Sequence, residues 1–178
     1  TQTSALGFGG YTGTAYVDET ESWNGTNWTE VNDLNNAHSG PGSAGASNTS
    51  ALCAGGNDAS THITTKTESW NGTNWTEVND LNQKRYNFSG SGTDSSLGMA
   101  YGGDILTAQT ANTELWTGSS WTEVADLSTA RGSAAGSRGV GTTSALCSGG
   151  NPGSGPERTT ETEEWSGSSV TTKTVSAG

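Results

Sequence analysis

The chain has 178 residues, only 29% of them hydrophobic and 27 of them glycine, a composition that argues against a helical core and for one domain spanning 1–178. Eighteen acidic against seven basic residues give a net charge of −11, which repels phosphate backbones and anionic lipid surfaces and excludes nucleic acid as a partner. No run approaches the roughly 18 apolar residues of a membrane helix and no signal segment opens the chain, so no membrane insertion is expected.

Self-similarity organises everything else. Unit one (1–34) opens inside a strand, TSALGFGG, that closes at Gly9-Gly10. It continues through the loop YTGTAYVD to a strand ending at Trp23, an Asn24-Gly25 turn and a strand opened by Trp28. Unit two (35–81) begins with the small-residue stretch GSAGAS (42–47) and repeats the pattern as TSALCAGG with Gly55-Gly56, the loop NDASTHITTK, Trp70, the Asn71-Gly72 turn and Trp75. Unit three (82–127) carries Gly102-Gly103, DILTAQTAN, Trp116 and Trp121. Unit four (128–178) carries GSAAGSRG (132–139), Gly149-Gly150, NPGSGPERTT and Trp165, and places Val170 where the others have the fourth-strand Trp. The Gly-Gly pairs recur about every 47 residues, and each Asn-Gly predicts a hairpin because both residues tolerate the positive φ of a tight turn. The expectation is an all-β chain with four antiparallel strands per unit, unit one lacking its first strand.

The Gly-Gly pairs with the fourth-strand Trp28, Trp75 and Trp121, and Gly149-Gly150 alone in the last unit, resemble the kelch repeat, from which the chain departs in carrying Trp23, Trp70, Trp116 and Trp165 where the third strand of that repeat has Tyr. The WNGTNWTEV phrasing is similar to kelch-like repeats in virion and tail proteins of aquatic bacteriophages and in bacterial surface proteins. The resemblance implies a four-bladed β-propeller with the small-residue strands nearest the axis. It further implies a non-enzymatic structural or adhesive module of a virion tail, tail fibre or other extracellular surface. A lectin-like, carbohydrate-binding propeller using its variable loops is the alternative. The missing strand leaves an open edge, so self-association or a surface glycan is the expected partner.

Site chemistry is sparse. Some kelch propellers resemble a copper oxidase, but that site needs two His with Tyr ligands. Here His38 and His62 lie in different contexts and Tyr11, Tyr16, Tyr86 and Tyr101 follow no ligand spacing, so neither metal nor cofactor is expected. Glu21, Glu68, Glu114 and Glu164 recur with the unit, as do Glu30, Glu77 and Glu123, which suits scaffold better than an acid–base pair of unlike environments. Cys53 and Cys147 occupy equivalent strands and read as small buried residues. The candidate ligand residues are His38, Arg85 and Arg131 at the corners between units, with Tyr86, and His62 in the second loop. Six Asn-x-Ser/Thr sequons occur, at Asn24, Asn27, Asn48, Asn71, Asn74 and Asn87, four of them by-products of the hairpin sequence.

Overall fold

The computed structural model describes residues 3–137, 141–153 and 158–167, and the backbone of 170–174. Fifteen strands and no helix occur among them. The first sheet is β1 (Ala5–Tyr11), β2 (Tyr16–Trp23) and β3 (Trp28–Glu30). The second is β4 (Gly42–Ser47), β5 (Ser50–Ala54), β6 (Thr67–Trp70) and β7 (Trp75–Val78). The third is β8 (Ser89–Asp94), β9 (Leu97–Tyr101), β10 (Thr113–Trp116) and β11 (Trp121–Val124). The fourth is β12 (Ala135–Gly136), β13 (Ala145–Ser148), β14 (Glu161–Trp165) and β15 (Val170–Thr174). Every pairing is antiparallel between strands consecutive in the chain, so hairpin turns set the register. In those turns the Asn24 and Asn71 side-chain oxygens each accept two backbone N–H bonds at 2.9–3.0 Å, from Thr26 and Asn27 and from Thr73 and Asn74.

The expected four-bladed kelch-like propeller is not what forms. Four separate sheets stand in a row, and they do not close into a ring. β4 packs on β8, β8 on β12, and β1 touches β4, whereas no comparable packing joins β12 to β1 among the described residues. Trp28 shows the consequence. Its counterparts Trp75 and Trp121 are 6% and 7% exposed because each lies on the preceding sheet, but Trp28 is 49% exposed. Where the first sheet has no strand inside β1, a groove of ≈ 400 Å³ runs between Leu6, Phe8, Ser43, Ala44 and Ala46.

The core is therefore a series of three seams. Leu34, Ala51, Cys53, Trp70 and Trp75 meet Leu6 and Phe8 in the first. Leu52, Ala54, Leu81, Ala100, Trp116 and Trp121 fill the second, and Met99, Tyr101, Leu127, Ala145, Cys147 and Trp165 the third. Five buried indoles supply what aliphatic residues cannot, since each buried Trp removes on the order of 150–250 Å² from water. Their N–H groups are all spoken for. Trp70, Trp116 and Trp165 donate to the backbone oxygens of Asn48, Ser95 and Thr142, each at 2.9 Å. Trp75 and Trp121 donate across the seam to the Thr20 and Thr67 hydroxyls at 3.0 and 3.1 Å.

The small-residue strands do what backbone proximity demands. A Cβ on Gly90 would meet the Ser43 carbonyl at 3.0 Å, and one on Gly136 would meet the Tyr101 hydroxyl at 2.6 Å. The Gly-Gly pairs are turn devices as well. Gly55 and Gly102 sit at φ +61° and +66°, and the amides of the following Gly56 and Gly103 donate to the Arg85 and Arg131 carbonyls.

Candidate functional site

His38, Arg85 and Arg131 occupy equivalent corners, but the structure buries all three completely. Arg85 Nη2 meets Glu114 Oε1 at 2.6 Å, and Arg131 Nη2 meets Glu163 Oε1 at 2.7 Å. Arg85 Nη1 also donates to the Gly102 and Asn112 carbonyls, and Arg131 Nη1 to those of Gly149 and Glu161. Burial draws the Arg85 pKa down, and the neighbouring Glu114 charge resists. Each carboxylate is further clasped by backbone N–H groups, Asn82 and Gln83 for Glu114, Ser128 for Glu163, and Asn35 and Asn36 for Glu68. A buried charge needs such complete pairing. These residues fasten each inter-sheet connection to its own sheet, and no ligand in solvent reaches them.

The repeated carboxylate in the fourth unit is Glu163, one residue earlier than Glu164. Thr162, Glu163 and Trp165 align with Thr113, Glu114 and Trp116, and Glu163 is buried while Glu164 is half-buried. An extra Glu in the sequence ETEEW hid the register. Glu21 is the member set apart, being exposed with no such clasp among the described residues.

His38 departs from the arginine pattern. Its Nε2 lies 3.2 Å from Cys53 Sγ, and its Nδ1 makes no well-formed hydrogen bond among the described residues. Burial lowers the His38 pKa despite the Glu68 charge, and burial followed by Glu68 raises that of Cys53 well above its ordinary value. The pair is neutral and inert, as buried thiols are. Cys53 and Cys147 are both buried and free.

Among the aromatic and polar residues of the variable loops, several do reach solvent. Tyr11, 56% exposed, and Tyr16 hold their rings 5.0 Å apart at the β1–β2 connection. The second loop wraps around Asp58, which accepts N–H bonds from Ser60 and Thr61 at 3.0 and 2.6 Å, and it presents His62 exposed with φ +70°. In the third loop Asp104 forms a two-way backbone bridge with Tyr86, at 2.8 and 3.1 Å. The Asp104 carboxylate accepts from Gln109 Nε2 at 2.7 Å and from Asn87 Nδ2 at 3.3 Å. Part of the fourth loop, 154–157, lies outside the described residues.

Asn87 lies at φ +51°, Ser133 at +53° and Gly40 at +61°, three equivalent corners in the left-handed region. Each immediately precedes a residue, Phe88, Ala134 or Pro41, that with Ser43, Ser89 and Gly136 lines a groove of ≈ 270 Å³, so the three form its rim in the chain. The Ser133 amide donates to the Asn87 carbonyl at 2.7 Å, which fixes the rim. Of the predicted residues, Tyr86 alone joins this rim, through Asp104, and His62 stands on the second loop. Asn87, Asp104 and Gln109 went unrecognised in the sequence. Asn87 was visible only as a sequon, and nothing local marks residues that converge from 87, 104 and 109.

No family model and no curated protein matches the sequence. The fold is similar to that in "Structure of YjhT", with a TM-score of 0.69 and 12% identity, over 89% of this chain and 52% of that one. The chain spans about half the length of YjhT. Identity this low shows the fold alone.

That comparison corrects the sequence-based reading. The chain is an all-β protein loosely similar to YjhT and not a closed kelch-type propeller. The solved structure it resembles is that of YjhT, and the structural or adhesive role read from repeat phrasing does not stand. Nor does the exclusion of enzymatic activity, because a shared fold hosts binding and catalysis alike.

Proposed function

We propose that the chain binds carbohydrate on its loop face, at the groove rimmed by Asn87 and Ser133. The observation that carries this reading is the Asn87–Asp104–Gln109 cluster held beside half-buried Tyr86. Planar amide and carboxylate groups match the paired hydroxyls of a sugar, and tyrosine rings suit its C–H faces. Asp104 has accepted one donor per oxygen, which leaves lone pairs for two hydroxyls more. The groove, at ≈ 270 Å³, is just under the ≈ 300 Å³ at which small-molecule pockets begin and suits a single ring.

A glycan array followed by saturation-transfer NMR on the hits tests the proposal. Asn87→Gly removes the amide while keeping the left-handed backbone, and Asp104→Ala removes the carboxylate. Each is expected to weaken binding about tenfold, the loss of roughly one charge-assisted or shared hydrogen bond. An array without reproducible millimolar or tighter hits, or hits indifferent to both substitutions, would overturn it.

A further inference from the structure

Two of the three seams are assembled from the same two half-surfaces, and the third has Trp165 as its one indole because Val170 stands at the outer position. One sheet presents its second and third strands, with Leu52, Ala54 and Thr67 as the example in the second sheet. The next sheet lays two indoles on them, Trp116 and Trp121, and the outer indole donates to the threonine hydroxyl. Trp70 and Trp75 repeat this against Leu6, Phe8 and Thr20.

At the two ends of the row one half-surface of each kind is uncovered. On the first sheet the Trp28 ring lies 3.7 Å from where a Cβ on Gly7 would stand, in contact with Trp23, with half its surface open. Its indole N–H has no hydrogen-bond partner among the described residues. A groove of ≈ 460 Å³ opens on that sheet, lined by Gly7, Phe8, Glu21 and Glu30. On the fourth sheet Leu146 is 46% exposed, Ser148 is exposed and Thr162 half-buried. Ser148 pairs with Thr162 as Ala54 pairs with Thr67, so these three stand at the register positions of Leu52, Ala54 and Thr67. The Thr162 hydroxyl shares a 2.9 Å bond with Ser148 and retains acceptor capacity.

We propose that the chain self-associates head to tail, the Trp28 face of one copy docking on the Leu146–Thr162 face of a second. Trp28 Nε1 then donates to Thr162 Oγ1 as Trp75 does to Thr20. A second copy is the occupant because this one chain carries both halves of an interface it already builds twice internally. Such a contact is heterologous, so it generates rings where the rotation closes and open rows where it does not. The net charge of −11 opposes it, and added salt strengthens it.

Sedimentation velocity over a concentration series reads this directly. The mass is expected to rise with concentration, and Trp28→Glu and Leu146→Glu are each expected to hold the chain monomeric, with unchanged near-ultraviolet circular dichroism confirming the fold. Thr162→Ala weakens association about fivefold, the worth of one hydrogen bond. The decisive mixture is Trp28→Glu with Leu146→Glu, which retains one intact face of each kind and forms a dimer that grows no further. Association that survives Leu146→Glu overturns the head-to-tail geometry. A constant monomer mass at every concentration overturns self-association, and leaves the Trp28 face to a different partner.

Discussion

Arg85 and Glu114, 29 residues apart in sequence, meet at 2.6 Å with both side chains buried from solvent. Removing the cation strands a carboxylate whose other donors are only backbone and side-chain N–H groups of Asn82 and Gln83. Arg85→Met is expected to cost about 3–5 kcal/mol, read from the urea midpoint. Adding Glu114→Gln to it recovers part of that loss, because the neutral amide still accepts while no longer carrying an unpaired charge.

The His38–Cys53 pair sets a pH window. His38 is surrounded by Cys53, Glu68, Asp58 and Lys66, and its folded pKa lies below the ordinary 6.5. The unfolded chain therefore binds the proton first, and stability falls as pH drops below about 6.5 towards the folded value. Cys53 has the opposite limb. Its folded pKa lies above the ordinary 9.0, so the unfolded thiol ionises first and stability falls as pH rises past that value. Cys147 adds to the same limb, its pKa being raised to about 11 by burial against the opposing Arg131 charge.

Unit four shows that an arginine is compatible with a cysteine at this corner, since Arg131, Cys147 and Glu163 coexist there. His38→Arg is accordingly expected to fold, to pair with Glu68, and to flatten the acid limb of the stability profile. Thermal midpoints between pH 5 and 7 check this, the range in which histidine titrates. An acid limb of unchanged steepness would show that His38 is not its source.

Chemically identical tryptophans differ in worth according to what covers them. Trp75→Ala is expected to cost about 3–5 kcal/mol, because it empties a seam and orphans the Thr20 hydroxyl. Trp28→Ala, at a position half open to solvent, costs about 1 kcal/mol or less in the monomer. Denaturant titration of the two variants at low protein concentration separates them.

Gly55→Ala strains two things at once. The position is at φ +61°, and a Cβ there falls 2.7 Å from the Arg85 carbonyl and 2.9 Å from the Phe88 ring. A loss of at least about 3 kcal/mol is expected, against about 1–2 for Gly13→Ala, which carries the backbone strain of φ +95° but whose added Cβ meets nothing within 4 Å.

The repeated unit was legible because each of its devices is local. Asn-Gly turns, the Gly-Gly pair and alternating Trp-Thr-Glu-Val strands act over a few residues, and the register among β5, β6 and β7 follows from them. The burial of Arg85 and Arg131 was not legible. Arginine at a loop corner reads as exposed, and only the arrival of Glu114 and Glu163 from about 30 residues away makes the interior tolerable for it. The rim formed by Asn87, Asp104 and Gln109 escaped for the same reason, being a meeting of three segments rather than a motif.

By itself, then, the sequence determined an all-β chain of four like units, the strands within each, and the indoles that hold neighbours together. Tertiary structure alone decided that the four sheets form an open row, which tryptophans are covered, and which polar residues face solvent. The physical reason is one of range. Turn chemistry and strand alternation are settled within a unit, whereas ring closure depends on the angle between units, which the packing of Trp75 on Thr20 and of Trp121 on Thr67 fixes and no repeat length encodes.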